Sequence, residues 1–191
     1  MVRILASGAS RHLEAPRHRE IQFSPGRVPL WLNSASMGME EMSQKSKNSQ
    51  KTAVSKPDLQ RLLLDSPFIR NYGFRVHAIA PGECVVTVPF QQSFERPGGI
   101  VSGLVFMAAA DVAMWLAIKT LLGSDDGCVT AEMKTSFLAA AKEQDFRCRA
   151  KILKLGKRLV YGVAECVSLD RKLLTHHTLT YIRPGTGAGR A

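Results

Sequence analysis

From about residue 57 the chain alternates between two kinds of hydrophobic pattern, and each predicts its own element. Pro57-Asp58-Leu-Gln-Arg-Leu-Leu-Leu-Asp65 places a proline early and apolar residues at 59, 62 and 63, which predicts a short amphipathic helix. Ser66-Pro67 ends it and Asn71-Tyr-Gly73 turns the chain. Phe74 to Ala80 reads as a strand, Pro81-Gly82-Glu83 as a turn, and Cys84 to Phe90 as a second strand. A polar loop, Gln91 to Gly99, then leads to Gly103–Leu122, where only Asp111, Lys119 and Thr120 are polar. That stretch predicts a long helix, ended by Gly123-Ser-Asp-Asp-Gly127. Beyond it the pattern has strand character throughout: 128–138, 145–155, 158–169 and 173–182, joined by short turns. One long apolar helix beside a single antiparallel sheet predicts an α+β domain over 57–184, in which five to six strands wrap the helix and bury both.

The flanks differ. Residues 1–56 are rich in Ser, Arg, Lys, Met and Pro, lack periodicity, and contain the polar run Ser43–Lys51, so they read as a disordered extension. Arginines at 3, 11, 17, 19 and 27 resemble a transit peptide, but Glu14 and Glu20 argue against one. The methionines at 37, 39 and 42 offer alternative translation starts. The glycine-rich 185–191 reads as a flexible tail.

Asp111 is the anomaly in this pattern. A helix that is apolar all round is buried, and a buried carboxylate must be paired, hydrogen-bonded or held protonated. Such a residue marks a candidate site, with a structural acid capping a neighbouring loop as the alternative. At the centre of a bilayer it would cost roughly 2.5–3.5 kcal/mol, so 103–122 reads as a core helix rather than a membrane span.

Charge and cysteine content narrow the class. A net charge of +10 suits nucleic acid, an anionic small molecule or plain solubility, yet no zinc-finger, helix-turn-helix or aromatic-plus-basic pattern supports nucleic acid. Cysteines at 84, 128, 148 and 166 form no CxxC pair and the five histidines no HExxH, so no metal site is expected. Buried free thiols in a reducing, cytoplasmic setting fit better.

Arg96-Pro-Gly-Gly-Ile-Val-Ser-Gly103 followed by Asp111 resembles the hotdog-fold acyl-CoA thioesterases of the phenylacetic-acid-degradation (PaaI-like) group, and the resemblance spans about residues 58–184. Members of that group carry an Asn, then Gly-x-x-His-Gly-Gly, with an Asp eight residues past the first glycine of the final pair. Gly103 and Asp111 match at that spacing, whereas the His is Ser102 here, the second Gly is Leu104, and the Asn falls near Arg96. Thr130-Ala-Glu-Met-Lys-Thr-Ser-Phe-Leu-Ala-Ala-Ala141 is similar to the strand that follows the helix, and Leu155-Gly-Lys-Arg158 to a Gly-Arg turn.

The resemblance implies hydrolysis of a thioester to free acid and CoA, with no cofactor beyond the CoA of the substrate. Asp111 would act as general base or nucleophile. The Gly103 amide, helped by that of Leu104, would hold the developing oxyanion at the positive end of the helix. Thr130 would position water, and Lys154, Lys157 and Arg158 would meet the CoA phosphates. Arg96 would contact substrate. Ser102 reads as a helix N-cap rather than a nucleophile, because no histidine is placed to activate it. Phe106, Met107 and Trp115 are read as sheet-facing and able to shape an acyl or aryl pocket. Residues 103 and 111 lie about 12 Å apart along one helix, so a single subunit cannot easily bring both to one carbonyl. The family site lies between two subunits, which implies a homodimer, alone or paired into a tetramer. A non-catalytic acyl-CoA sensor is the alternative; a hotdog dehydratase would need a histidine that the helix does not offer.

Overall fold

The computed structural model describes residues 51–184. Most of the expected N-terminal extension and the expected tail, residues 1–50 and 185–191, lie outside the described residues.

The first helix, α1 (Lys56–Asp65), starts on a capping box. The Ser55 hydroxyl accepts from the Asp58 amide and the Asp58 carboxylate accepts from the Ser55 amide, while Leu59 and Leu63 point into the core. The chain is already tied down before this point, since the Ala53 amide donates to the Thr120 carbonyl at 2.8 Å.

Strands β1 (Arg75–Ala80) and β2 (Glu83–Val88) form the predicted hairpin. Gly82 sits at its tip with φ +74, and its amide donates to the Thr120 hydroxyl at 2.8 Å. The segment expected as a plain polar loop, 91–99, has structure of its own. A 3₁₀ turn at Gln92–Phe94 buries Phe94, and β3 (Glu95–Arg96) pairs with β4 (Ile100–Val101) in a two-stranded ribbon. Gly98 and Gly99, at φ +103 and +68, make the turn between them. One buried aromatic and two glycines in nine residues leave no periodicity from which to read this.

Helix α2 (Gly103–Leu122) is the predicted rod. It is followed by β5 (Val129–Phe137), β6 (Phe146–Leu155), β7 (Leu159–Ser168) and β8 (Leu173–Ile182), each within about two residues of expectation. The six long strands form one antiparallel sheet in the order β1-β2-β6-β7-β8-β5. This is the hotdog arrangement: the sheet curls around α2, which lies chiefly across β2, β6 and β7.

Inward positions on the central strands are small where the rod passes. At Gly162 an added Cβ would stand 2.5 Å from both Met114 Cε and the Lys151 carbonyl oxygen, so Met114 fills the space a side chain would need. All four cysteines are buried and free.

By length and composition α2 is apolar enough to cross a membrane, but two-thirds of its most apolar window is buried inside this fold. It is not buried all round, as its composition suggested. Leu104, Met107, Ala108, Asp111 and Trp115 recur at helical spacing and keep partial or full exposure, so one stripe of the rod lies outside the sheet's cover.

Candidate active site

Asp111 lies on that uncovered stripe, half-buried rather than buried. Of the three ways to keep a carboxylate in such a place, the structure uses hydrogen bonding. Its Oδ1 accepts from the Tyr181 hydroxyl at 2.6 Å and from the Thr130 hydroxyl at 2.8 Å. The same tyrosine hydroxyl also lies 2.9 Å from the Asp111 backbone carbonyl. Strand register explains the pairing: Thr130 on β5 and Tyr181 on β8 stand directly opposite one another beneath the middle of the helix.

Burial, followed by the Asp111 charge and its hydrogen bond, pushes the Tyr181 hydroxyl far above its usual range, so it remains a proton donor. Sequence reasoning missed Tyr181, which at an inward strand position looks like ordinary core. The available signal was that a buried tyrosine hydroxyl needs a partner, and Asp111 was the nearest polar group in want of one.

The second cluster gathers at the start of α2. Ser102 is the N-cap: its hydroxyl accepts from the Leu104 amide at 3.3 Å and its carbonyl from the Val105 amide at 3.1 Å. The expected help from Leu104 is therefore absent, since capping consumes that amide and the side chain stands exposed. The Gly103 amide has no acceptor among the described residues. It opens beside a cleft of about 350 Å³ whose lining includes Arg96, Val101, Phe106 and Phe137. A Cβ on Gly103 would lie 3.0 Å from the Phe137 ring, so glycine is what allows close approach here. Phe106 is buried and packs on Phe146 with ring centroids 4.7 Å apart. Met107 and Trp115 belong to the uncovered stripe rather than facing the sheet, and Trp115 meets Phe68 edge-on at 5.9 Å.

A hydroxyl-bound carboxylate is chemically able to activate water, and a glycine amide without an acceptor at a helix N-terminus is able to hold a developing oxyanion. The Thioesterase superfamily model matches residues 98–175. Two Saccharolobus solfataricus proteins named as esterases are 31% identical over 99 residues (52% of this chain, 70% of theirs) and 33% identical over 107 (56% and 71%). The chain belongs to the thioesterase superfamily. Among solved structures, a mutant of the phenylacetic acid degradation protein PaaI from Thermus thermophilus is similar at 27% identity and TM-score 0.57, covering 62% of this chain and all of that one. Zebrafish thioesterase superfamily member 2 shares the fold at 22% identity and TM-score 0.63, covering 69% of this chain and 99% of its own.

In this thioesterase-superfamily chain the remaining candidates form a third group. Lys154, Lys157 and Arg158 stand exposed about the β6–β7 turn. Arg183 holds that turn: its Nη1 donates to the Gly156 carbonyl at 2.7 Å and its amide to the Arg158 carbonyl at 2.9 Å. Leu159, Ile182 and Val129 pair across neighbouring strands, so the turn lies at the start of β5. Phe137, against Gly103, ends β5 some 26 Å away at about 3.3 Å per residue. One chain thus joins Asp111 to Thr130, gathers Arg96, Ser102 and Gly103 at the helix start, and leaves the basic turn at the other end.

Proposed function

We propose that this hydrolase cleaves an acyl-CoA thioester to free acid and CoA, at a site assembled from two copies of the chain. The observation that supports the reading is that one uncovered strand touches both Asp111 and Gly103. Thr130, bound to Asp111, lies near the start of β5, and Phe137, over Gly103, ends it. Strand β5 is an edge of the sheet, and no residue of it is buried.

When two such edges pair antiparallel about a two-fold axis, the start of one meets the end of the other. Asp111 and the basic turn of one subunit then approach Gly103 and Arg96 of its partner. The substrate's carbonyl oxygen would rest on the Gly103 amide, Asp111 would activate the attack, and Lys154, Lys157 and Arg158 would face the CoA phosphates. A reducing compartment such as the cytoplasm fits the four buried free thiols.

The test is free-thiol release across a panel of acyl-CoA esters, with Asp111→Asn and Gly103→Val as separate variants. Each alone should be inactive yet folded. Mixed and allowed to exchange, they should regain roughly a quarter of wild-type activity, because half the dimers are mixed and each holds one intact site. No recovery on mixing would remove the shared site. Binding of acyl-CoA without turnover by the wild type would make the protein a sensor instead.

A further inference from the structure

The two oxygens of the Asp111 carboxylate differ in their surroundings: Oδ1 meets two hydroxyls and Oδ2 meets no donor among the described residues. We infer that Tyr181 is the positioning residue of this site: its hydroxyl, with that of Thr130, occupies Oδ1 of Asp111 and leaves Oδ2 to take the proton from the attacking water. The inference rests on the hydrolase reading above.

Three observations carry it. First, the two donors converge on one oxygen, at 2.6 Å from Tyr181 and 2.8 Å from Thr130, while no donor among the described residues meets Oδ2. Second, the tyrosine hydroxyl also lies 2.9 Å from the Asp111 backbone carbonyl. One fixed hydroxyl therefore spans both the backbone and the carboxylate of the same residue, which sets the side-chain rotamer as well as the place of the helix turn. Third, Tyr181 is 2% exposed and is anchored in β8, so the donor cannot follow a carboxylate that moves. Satisfying a buried tyrosine would need only the backbone carbonyl; the shorter bond goes to the carboxylate.

Water oxygen bonds to the carbonyl carbon as one of its protons passes to Oδ2, and the carbonyl π pair moves onto oxygen beside the Gly103 amide. On collapse the C–S bond breaks, the proton on Oδ2 goes to the departing sulfur, and free acid and thiol leave. Thr130 keeps its place in the site but serves the carboxylate directly; the water lies on the other side, against Oδ2.

The experiment uses the full chain and whichever acyl-CoA the wild type turns over. Tyr181→Phe should lower kcat by about 10- to 100-fold through lost orientation, with KM changed by less than about threefold. A carboxylate that loses a donor holds its proton more tightly, so the acid limb of the kcat profile should move to higher pH. Thr130→Val should do the same more weakly, and Thr130→Ser should restore the wild-type profile. Replacing the three tyrosines with 3-fluorotyrosine strengthens the donor without removing it and should move the acid limb to lower pH. That measurement stands even where Tyr181→Phe does not fold.

A folded Tyr181→Phe with kcat within twofold of wild type and an unmoved acid limb overturns the inference, as does an unmoved limb in the fluorinated protein. Wild-type protein that turns over no acyl-CoA removes the hydrolase reading itself, whereas an active Asp111→Asn keeps the hydrolase and removes the role of the acid, and this inference with it. An active wild type, a dead Asp111→Asn and an unaffected Tyr181→Phe remove this inference alone.

Discussion

The two edges of the sheet are treated in opposite ways. Strand β1 is six residues long, interrupted by a bulge at Val76–Ala78, and covered by α1. Gln60 of that helix accepts from the Val76 amide at 2.8 Å, and Lys56 donates to the His77 carbonyl at 2.8 Å, so side chains satisfy main-chain groups that a neighbouring strand would otherwise take. Strand β5 is nine residues long, ends in the exposed Phe137 with the exposed Leu138 just beyond it, and has no such cover among the described residues. A long open edge invites another chain, and proteins that must stay single blunt it. Here one edge is blunted and the other is not, and the open one carries Thr130, bound to Asp111, and Phe137, against Gly103.

Four substitutions, with a fifth as a control, break or sharpen that contrast. Asp126 anchors the start of β5: it pairs with Lys119 at 2.8 Å, with both side chains almost wholly buried, and accepts from the Cys128 amide at 2.8 Å. Asp126→Ala should cost about 3–5 kcal/mol, because it leaves a buried cation unpaired. Chemical denaturation will measure it, and a loss under about 1 kcal/mol would deny the anchor.

Phe137→Asp puts a charge on the open edge without emptying the core, since the ring is already 57% exposed. Self-association should weaken by roughly 2–4 kcal/mol, in the range of hot-spot residues, while the melting temperature of the dissociated chain barely moves. Sedimentation against concentration will show it; Arg75→Asp on the covered edge should leave self-association unchanged.

Ser55→Ala removes the cap of α1 and should cost about 1 kcal/mol in thermal stability, with no change in oligomeric state. The smallest effect is expected at Glu83, beside the covered edge. Burial raises its carboxyl, but the hydrogen bond and charge of Arg149, 2.8 Å away, with Lys151 at 3.2 Å, outweigh that and hold it below its usual range. A depressed folded-state value means stability present at neutral pH and lost as pH falls through that value. Glu83→Gln should therefore flatten the acid side of the stability curve, by less than about 1 kcal/mol at neutral pH for so shallow a pair.

The fold was legible because its elements are long and their punctuation is strong. Alternation in 145–155 and 158–169, with Gly156-Lys157 between, can be read only as a hairpin, and the observed strands Phe146–Leu155 and Leu159–Ser168 follow it closely. Asp111 stood out because its neighbours are oily. Other features were hidden for identifiable reasons. The ribbon at 95–101 is too short to show a period. Tyr181 obeys strand alternation and so hides among apolar residues, its role set by a register with Thr130 that no local pattern encodes. Composition said that α2 is apolar all round, but not which stripe the sheet would leave bare.

The contact between Met114 and the vacant position at Gly162 has a mechanical meaning. A thioether seated in a notch acts as a detent: it stops the rod from sliding along the sheet. One residue of slippage is about 1.5 Å of travel, enough to part the acid three positions earlier from the phenol that steadies it. Filling that notch with even a methyl group would push the carboxylate off its two hydroxyls from the far side of the wall.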